Sequence, residues 1–461
     1  MLSAFRAQTQ DSSIRFEDFS VDRHWQSYRS QLLPKTMPVV RQDFGLTNFQ
    51  GHPALGGWVQ RSLTPAWFAK VIPGRTLNDK FSASGKFAVT NDSGGSGMLF
   101  GWFNETSRGW RTPNSLGFRI DGNGGRYWVF YEYGTRHWLT GGAGCFEGDR
   151  YQTTKTKPFS ADGTVHTWSL SYDAERNNRQ GLMTFLLDGK QYLQPLLPGH
   201  KEDGAEFNRF GMFNLQTTGS GLETFFTDLV LDGLQMDLNN ATDWEAHGNK
   251  VKFEDRHVRP YHDFGWMPTS KAGGKPGEIG GIIWRDEAPA YYAREIGLLT
   301  LDDDFAASGK ISFNAAGSDS GVYLGWFDSR SKTNKVSSDH EQPQKNILAI
   351  LIEGPSRIGH YFRPHYQTCF GDGEMKEGGP IIRPDGLVHQ WSITYSPRGA
   401  NGIGAIEVQL DGKVETLALK PEHRKQGASF DRFGLFNLQV GGHFVDIAVD
   451  DLRYTSNSRR K

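Results

Sequence analysis

The chain is poor in several features that would point to a specialised class. It has two cysteines in 461 residues, Cys145 and Cys369, so it is no disulfide-stapled scaffold. No apolar run reaches the roughly 20 residues that cross a bilayer. Basic and acidic residues number 51 and 52, for a formal net charge of −1. This balance disfavours nucleic acid and anionic membrane surfaces as partners.

Diagnostic catalytic motifs are also missing. There is no zinc-ligand spacing, phosphate-binding glycine loop, nucleophile elbow or dinucleotide fingerprint. The first ten residues lack the apolar stretch of a signal peptide. The compartment is therefore expected to be extracellular or periplasmic if a leader has been removed, and cytoplasmic otherwise.

What the chain does contain is an internal duplication. Gly-Gly-Trp-Val-Gln-Arg at 56–61 returns as Gly-Gly-Ile-Ile-Trp-Arg at 280–285, and Gly-Trp-Phe-Asn at 101–104 returns as Gly-Trp-Phe-Asp at 325–328. Arg-Phe-Gly-Met-Phe-Asn-Leu-Gln at 209–216 returns at 432–439 with one change. Solenoid repeats are about 20–50 residues long, so this is a duplicated domain. We predict a first copy at 1–236 and a second at 237–461.

Both copies are rich in strand signals. Aromatic and β-branched runs such as 97–103, 126–132 and 166–172 are bounded by Gly, Asn and Asp, and many alternate with period two. Asp-Gly at 188–189 and at 411–412 is typical of a tight hairpin. The pattern predicts an all-β protein made of two β-sandwich or jelly-roll domains. A leader strand before each copy, at 16–25 and 242–245, is expected to pair with that copy's own last strand.

The order of motifs resembles a known superfamily. His-Xxx-Trp-Ser, then a strand ending in Asp-Gly-Lys, then Phe-Gly-Xxx-Phe-Asn, is similar to the laminin-G and concanavalin-like lectin and glucanase jelly rolls, over about 40–235 and 260–455. The resemblance implies that His-Xxx-Trp-Ser and Asp-Gly-Lys lie on one sheet, and Gly-Trp-Phe and Phe-Asn-Leu-Gln on the concave sheet where sugars bind. It also makes His166 and His389 structural. The Glu-x-Asp-x-x-Glu signature of the glucanases is absent, so no enzyme family is assigned.

Alternation of side chains selects candidate residues of the concave trough. Trp326 and Asp328 would share one side of their strand, Asn437 and Gln439 one side of another, and Leu351 and Glu353 one side of a third. An ordinary solvated sheet face is the alternative.

The two copies differ mainly at ionisable positions. The second copy has Glu278 where the first has Ala54, Asp328 in place of Asn104, and His443 in place of Ser220. A short stretch adds four more groups, Arg357, His360, Arg363 and His365. The second copy is therefore the better candidate for catalysis, and the first for structural support or binding.

Two enzyme mechanisms fit these residues. A glycoside hydrolase needs two carboxyl groups flanking the bond, and Asp328 with Glu353 could supply them, with Glu278 as a third candidate. A polysaccharide lyase needs a base with groups that neutralise a uronate carboxylate. Its candidates are His365 or His360 as base, and Arg285, Arg363, Asn437 and Gln439 as binding groups, with Trp326 and His443 also lining the site. A polysaccharide or oligosaccharide is the partner in both cases.

Non-catalytic hypotheses stay open beside these. The chain could be a lectin-like binding module or a structural, adhesion protein. Arg61 and Arg285 could bind a sugar, or could form salt bridges with Asp79 and Asp303.

No cofactor is required, and a structural Ca²⁺ is one alternative for the acidic residues near the first and last strands. In related jelly rolls an ion binds between the first and last strands, and carboxylates suit Ca²⁺. Glu17 or Asp18 with Asp228, and Asp243 with Asp450 or Asp451, are the matching acids, and surface acids without an ion are the alternative. The ligand candidates are therefore Asp18, Asp228, Asp243 and Asp451.

Overall fold

The structure is a computed structural model that describes residues 13–257, 261–331 and 344–457, and the backbone of two short strands at 335–336 and 340–341. In this part of the chain strands follow one another closely, and the helices are three short segments. None of the described helices is long and apolar enough to cross a bilayer.

The elements up to residue 257 are, in chain order, β1 Ser13–Glu17, β2 Gln26–Tyr28, β3 Gln31–Leu32, β4 Val39–Phe49, β5 His52–Gln60, β6 Trp67–Thr76, β7 Lys80–Asp92, β8 Gly97–Phe103, β9 Ser115–Gly122, β10 Arg126–Gly134, β11 Thr140–Gly144, β12 Phe159–Ser160, β13 Val165–Asp173, β14 Leu182–Leu187, β15 Lys190–Pro195, α1 His200–Asp203, β16 Glu206–Asn214, β17 Gly221–Leu231, β18 Leu234–Gln235, β19 Trp244–His247 and β20 Lys250–Glu254. The remaining elements are β21 His262–Met267, β22 Glu278–Trp284, β23 Tyr291–Thr300, β24 Phe305–Ala316, β25 Ser320–Phe327, β26 Lys335–Val336, β27 His340–Glu341, β28 Ile347–Gly354, β29 His360–Gln367, β30 Gly373–Met375, β31 Ile381–Ile382, β32 Val388–Ser396, α2 Gly399–Gly402, β33 Ala405–Leu410, β34 Lys413–Ala418, α3 Pro421–Gln426, β35 Ser429–Asn437 and β36 Phe444–Ser456.

The chain divides into two compact units. The first unit comprises residues 36–258, and the second comprises residues 1–35 with 259–461. This division differs from the predicted boundary at 236/237, because residues before 36 pair with the second copy and residues 237–258 stay with the first.

Each unit is an antiparallel two-sheet sandwich, as predicted. We call the sheet that carries Gly-Trp-Phe the GWF sheet and the sheet that carries His-Xxx-Trp-Ser the HWS sheet. In the first unit the GWF sheet has the order β11-β10-β9-β8-β16-β6-β19 with β12 on β10, and the HWS sheet has the order β15-β14-β13-β7-β17-β5-β4-β20 with β18 on β17. In the second unit the corresponding orders are β2-β23-β35-β25-β28-β29-β30 with β31 on β29, and β3-β21-β22-β36-β24-β32-β33-β34 with β1 on β36. The predicted sorting of the four motifs between two sheets is confirmed.

Local sequence explains these strands and turns. Along β13 alternate side chains are buried, because Trp168, Leu170 and Tyr172 face the other sheet. Asp188 and Gly189 both take positive φ, 48° and 81°, so Asp-Gly closes the tight β14–β15 hairpin. His166 bonds Asp188 at 2.6 Å, which supports its predicted structural role.

Aromatic side chains fill each core. In the first unit Phe100 of the GWF sheet stacks on Phe226 of the HWS sheet, with ring centroids 4.0 Å apart. In the second unit Trp326 packs on Phe305 at 5.0 Å. Both cysteines are free thiols.

The leader strands do not pair as predicted. β1 pairs with β36, the last strand of the second copy, while β2 and β3 pair with β23 and β21 of that copy. The segment between the copies completes the first unit instead, because β19 pairs with β6 and β20 with β4. Each unit is thus completed by the leader expected for the other.

Candidate functional site

Trp326 does not line a trough. It is fully buried in the core of the second unit, and its indole N–H donates to the backbone oxygen of Thr455 at 3.1 Å. Because faces alternate, the outward residues of β25 are Tyr323 and Phe327, which pack with Phe436 in a separate apolar cluster. The predicted orientation of Trp326 is wrong.

The predicted carboxylate pair is not formed. Asp328 follows β25 and is held by Arg330, whose Nε and Nη2 lie 2.9 and 3.0 Å from its oxygens. Ile347 lies opposite Phe327, at this end of the sheet, whereas Glu353 lies further along β28 by about 20 Å at the usual rise per residue. The two carboxyl groups of a glycosidase stand about 5–9.5 Å apart. Asp328 and Glu353 therefore cannot flank one bond.

Glu278 has a structural environment. It is completely buried, and its carboxylate accepts hydrogen bonds from the Thr269 hydroxyl and from the backbone N–H groups of Lys271 and Ala272, the latter two at 3.0 and 2.7 Å. Because its neighbour Ile279 faces the core, Glu278 lies on the outer face of the HWS sheet. It is on the opposite sheet from Glu353 and fixes the loop 268–277.

Two of the predicted histidines make other contacts. His360 faces the core, where Nε2 lies 2.9 Å from the Ser320 hydroxyl and the ring meets Phe313 edge to face at 4.7 Å. Burial lowers the pKa of His360 to about 3. His443 precedes β36 and lies against Trp284, with ring centroids 5.8 Å apart.

Other predicted residues do converge, on the outer face of the second unit's GWF sheet. The Glu353 carboxylate accepts a hydrogen bond from Arg363, and Arg285 Nη1 lies 3.8 Å from its other oxygen. Arg285 also bonds Asp319 at 2.6 Å. The two guanidinium charges are thus balanced by two carboxylates.

His365 completes this group. Its ring meets Tyr323 at 5.3 Å, and neither ring nitrogen has a hydrogen-bond partner among the described residues. Burial, with a smaller effect of Arg363, lowers the pKa of His365 to about 3, and burial raises the pKa of Tyr323. An imidazole with so low a pKa is a weak base, and the arginines that would hold a uronate carboxylate are already neutralised.

The first unit contains an equivalent network. There Asp121 lies between Arg61 and Arg119, and both guanidiniums donate to its carboxylate. Arg61 is thus in a salt bridge, as one alternative predicted, but Asp79 is not its partner, because Asp79 accepts from the backbone N–H of Thr76 at 2.7 Å.

The second arginine of the network has changed strands between the copies. Arg119 on β9 stands opposite Phe130 on β10, whereas Leu351 on β28 stands opposite Arg363 on β29. An arginine and an apolar residue have exchanged places across a strand pair. Since both units keep a carboxylate between two arginines, we interpret the network as structural.

The predicted amide Asn437 is also used within the fold. Its side chain accepts from the Ala290 N–H at 2.8 Å and donates to the backbone oxygens of Asp286 and Ala288 at 2.9 Å. Asn214 makes the same three bonds in the first unit. Gln439 is buried, and its backbone N–H donates to Gln344.

The proposed calcium carboxylates do not fit a cation site. Asp228, Asp243 and Asp451 lie 2.8, 3.0 and 2.5 Å from the ammonium groups of lysines, and Asp18 accepts from the Ser20 N–H and hydroxyl. The described residues contain no cluster of three or more His, Cys, Asp or Glu that could hold a metal ion.

An open groove that the sequence did not reveal lies on the first unit's HWS sheet. The groove, of about 670 Å³, crosses β20, β4, β5 and β17, and we call it the first-unit groove. Gly45, Gly56 and Gly57 lie along its floor. A methyl group at Gly56 would come within 2.7 Å of the Phe225 ring, so glycine is needed for the ring to lie close to the sheet.

Aromatic rings form the walls of the first-unit groove. Trp58 is half-buried and lies over Gly221, where a methyl group would be 2.4 Å from its ring. Phe225 stacks on Phe49 with centroids 4.7 Å apart. Both wall residues, Trp58 and Phe225, keep part of their surface exposed beside a concave space.

Polar groups surround these rings. Asp43 is paired with Arg41 at 2.6 Å, and Glu223 accepts from the Thr90 hydroxyl at 2.5 Å. Lys250, Asn91 and Gln60 add donors and acceptors. Since two cations and two carboxylates line the groove, its charge is balanced.

The sequence does contain a sign of this groove, in the aromatic residues by which the two copies differ. Trp58 becomes Ile282 in the second copy, and Phe225, opposite Gly56, becomes Ala448, opposite Gly280. Comparing the aromatic residues of the two copies, and not only their ionisable residues, would have found it.

Comparison with known proteins finds similar solved structures and no family. No protein-family model and no curated protein matches the chain. Solved structures that match include domains LG4-5 of the mouse laminin alpha1 chain, with 11% identity over 93% of each chain and a TM-score of 0.25. An alginate lyase from Chlorella virus matches with 11% identity over 42% of this chain and 91% of its own, with a TM-score of 0.26. Peanut lectin matches with 12% identity over 42% and 90%, with a TM-score of 0.24.

Proposed function

We propose that this protein binds a carbohydrate, and that an uncharged oligosaccharide lies in the first-unit groove. The observation that carries the proposal is the groove itself, where exposed faces of Trp58 and Phe225 stand among hydrogen-bonding groups on a rigid sheet. The C–H face of a sugar ring packs on an aromatic ring as apolar surface, while its hydroxyls need nearby donors and acceptors.

The charge balance supports an uncharged ligand. Arg41 and Asp43 neutralise each other at 2.6 Å, and Lys250 and Glu223 add one charge of each sign. A charged sugar would therefore gain little net Coulomb energy. Affinity should depend weakly on ionic strength.

The geometry supports binding better than turnover. Asp43 and Glu223 each lie opposite Trp58, on the strands at either side, so their Cα atoms stand about 10 Å apart, two strand spacings. The Glu223 carboxylate bonds Thr90 of β7, which is further from Asp43. Carboxyl groups of glycosidases stand about 5–9.5 Å apart, and a glutamate that turns away from Asp43 is not placed to form such a pair. The hydrolase and lyase hypotheses remain predictions, and both differ from the binding proposal in requiring that a product forms.

Calorimetry with a panel of neutral and uronate-containing oligosaccharides tests the proposal. Trp58→Ala should weaken binding of the best neutral ligand about 30-fold, as expected for a central aromatic anchor worth about 2 kcal/mol. Ile282→Ala, at the corresponding position of the second unit, is the matched control and should leave affinity unchanged.

The proposal is overturned if no oligosaccharide binds or if Trp58→Ala binds as the wild type does. The same mixtures are assayed for new reducing ends and for the ultraviolet absorbance of an unsaturated uronate. Either signal would favour the hydrolase or the lyase instead.

A further inference from the structure

The second unit covers the part of its sheet that corresponds to the first-unit groove. In the first unit, β4 and β5 are joined by Gln50 and Gly51, with Phe49 paired to His52. The corresponding strands β21 and β22 are joined by the longer loop 268–277. The two copies therefore differ at this edge of the sheet by a loop.

The loop is fixed in place by its own contacts. The buried Glu278 carboxylate accepts from Thr269, Lys271 and Ala272, and the Gly277 N–H donates to the Thr269 oxygen at 2.8 Å. Ala272 is completely buried. In the first unit the position of Glu278 is held by Ala54, which offers no such acceptor.

The loop contacts the residues that correspond to the groove lining. Asp446 and Glu223 are counterparts, since each lies opposite the residue that follows the Gly-Gly pair, Ile282 or Trp58. Lys271 Nζ lies 3.5 Å from the Asp446 carboxylate. Two residues further along, a methyl group on Gly273 would come within 1.9 Å of the Asp450 carboxylate, so the loop backbone lies directly on β36.

The sheet beneath the loop has lost the aromatic walls. Ile282 stands in place of Trp58 and Ala448 in place of Phe225, and smaller side chains leave room for backbone to approach. Gly280 and Gly281 are retained from the floor. The covered face keeps the glycines of a groove without its binding surface.

We infer that the loop 268–277 fills the face of the second unit that corresponds to the first-unit groove, and that Glu278 holds the loop there. Each chain therefore binds one oligosaccharide, in the first unit. This inference rests on the proposed function of the first-unit groove. It assigns Glu278 to closing a former site, in place of the catalytic role predicted from the sequence.

The stoichiometry of binding by the full chain tests the inference. The best neutral oligosaccharide of the panel should bind with one site per chain, and at a free ligand concentration equal to the wild-type Kd, Trp58→Ala should remove about nine-tenths of the heat. Two sites, of which Trp58→Ala removes one, would overturn the inference and leave the proposed function intact. One site that survives Trp58→Ala would refute the proposed function. Absence of all binding would refute the proposed function itself.

The latch is tested without ligand, by hydrogen exchange of the intact protein. Glu278→Ala removes the acceptor of three donors and should speed exchange of the 268–277 amides at least tenfold, with exchange of β4 and β5 unchanged. Glu278→Gln, which keeps an acceptor oxygen, should have a smaller effect. Unchanged exchange in Glu278→Ala would overturn the latch.

Discussion

The exchange of leader strands makes the N-terminal segment a structural part of the second unit, and Trp25 is the residue that tests this. Trp25 precedes β2 and is 4% exposed. Its ring lies 5.3 Å from Phe19, 6.0 Å from Tyr292 and 5.8 Å from Tyr454. Tyr292 and Tyr454 belong to the second copy, so the Trp25 side chain packs the N-terminal segment against that copy.

Trp25→Ala should destabilise the second unit by about 3–5 kcal/mol, the usual range for deleting a buried large aromatic side chain. That is a large fraction of the roughly 5–15 kcal/mol of a folded domain. The first unit should keep its stability, although it is nearer to Trp25 in sequence. Hydrogen exchange read by mass spectrometry separates the units, since β23 and β36 should lose protection while β6 and β17 retain it.

Trp244→Ala is the reciprocal control. Trp244 is the corresponding tryptophan of the segment between the copies, and it stacks on Phe68 of the first unit at 5.4 Å. It should lower protection in β6 and leave β23 unaffected. If Trp25→Ala instead exposes first-unit amides, or both substitutions affect both units alike, the argument from the leader strands is refuted.

Three further outcomes concern ionisable groups of the second unit. Burial lowers the pKa of His262 to about 4 and those of His360 and His365 to about 3. The stability that these neutral histidines give the second unit is therefore fully present above the ordinary pKa of 6.5 and is lost as the pH falls toward 4. Hydrogen exchange at descending pH should show the second unit opening first, and simultaneous opening of both units would contradict this. Glu353→Gln leaves two buried guanidiniums undercompensated and should lower the free energy of unfolding by about 3–5 kcal/mol in urea titrations, whereas a change below about 0.5 kcal/mol would show that the pair is not needed. Burial raises the pKa of Asp450 to about 6, so the wild type loses stability as the pH rises from about 4 to about 6. Asp450→Asn should be more stable than the wild type at pH 7, by about 1 kcal/mol or more, and equal to it below about pH 4. Equal stability of the two proteins at both pH values would contradict this.

The fold was predictable because its signals are local and occur twice. Period-two alternation places Trp168 and Leu170 in the core, and Asp-Gly fixes the hairpin at 188–189. The leader exchange was not predictable in this way. Trp25 and Trp244 stand in similar segments, and no local pattern states which copy a segment pairs with.

The predicted trough on the GWF sheet is wrong for a different physical reason. Every residue of β25 is buried, because the outward Tyr323 and Phe327 pack in an apolar cluster of their own while Trp326 fills the core. Alternation identifies which residues share a face, but it identifies the inner face only when the other face is polar. On β25 both faces are apolar, so the sequence could not orient Trp326.

Ionisable residues do not mark the candidate groove of this chain. A carboxylate buried without a partner is strongly unfavourable, so Glu278 makes sense only together with the N–H groups of the loop 268–277. A half-buried Trp58 keeps part of its surface in solvent only where no such loop covers it. Loop length, the Ala54/Glu278 difference and the Trp58/Ile282 difference are therefore one structural change, between an open face and a covered face. The differences between the two copies therefore distinguish an open outer face of the HWS sheet in the first unit from a covered one in the second. The second copy, which has more charged residues, is the one in which the loop 268–277 covers this face.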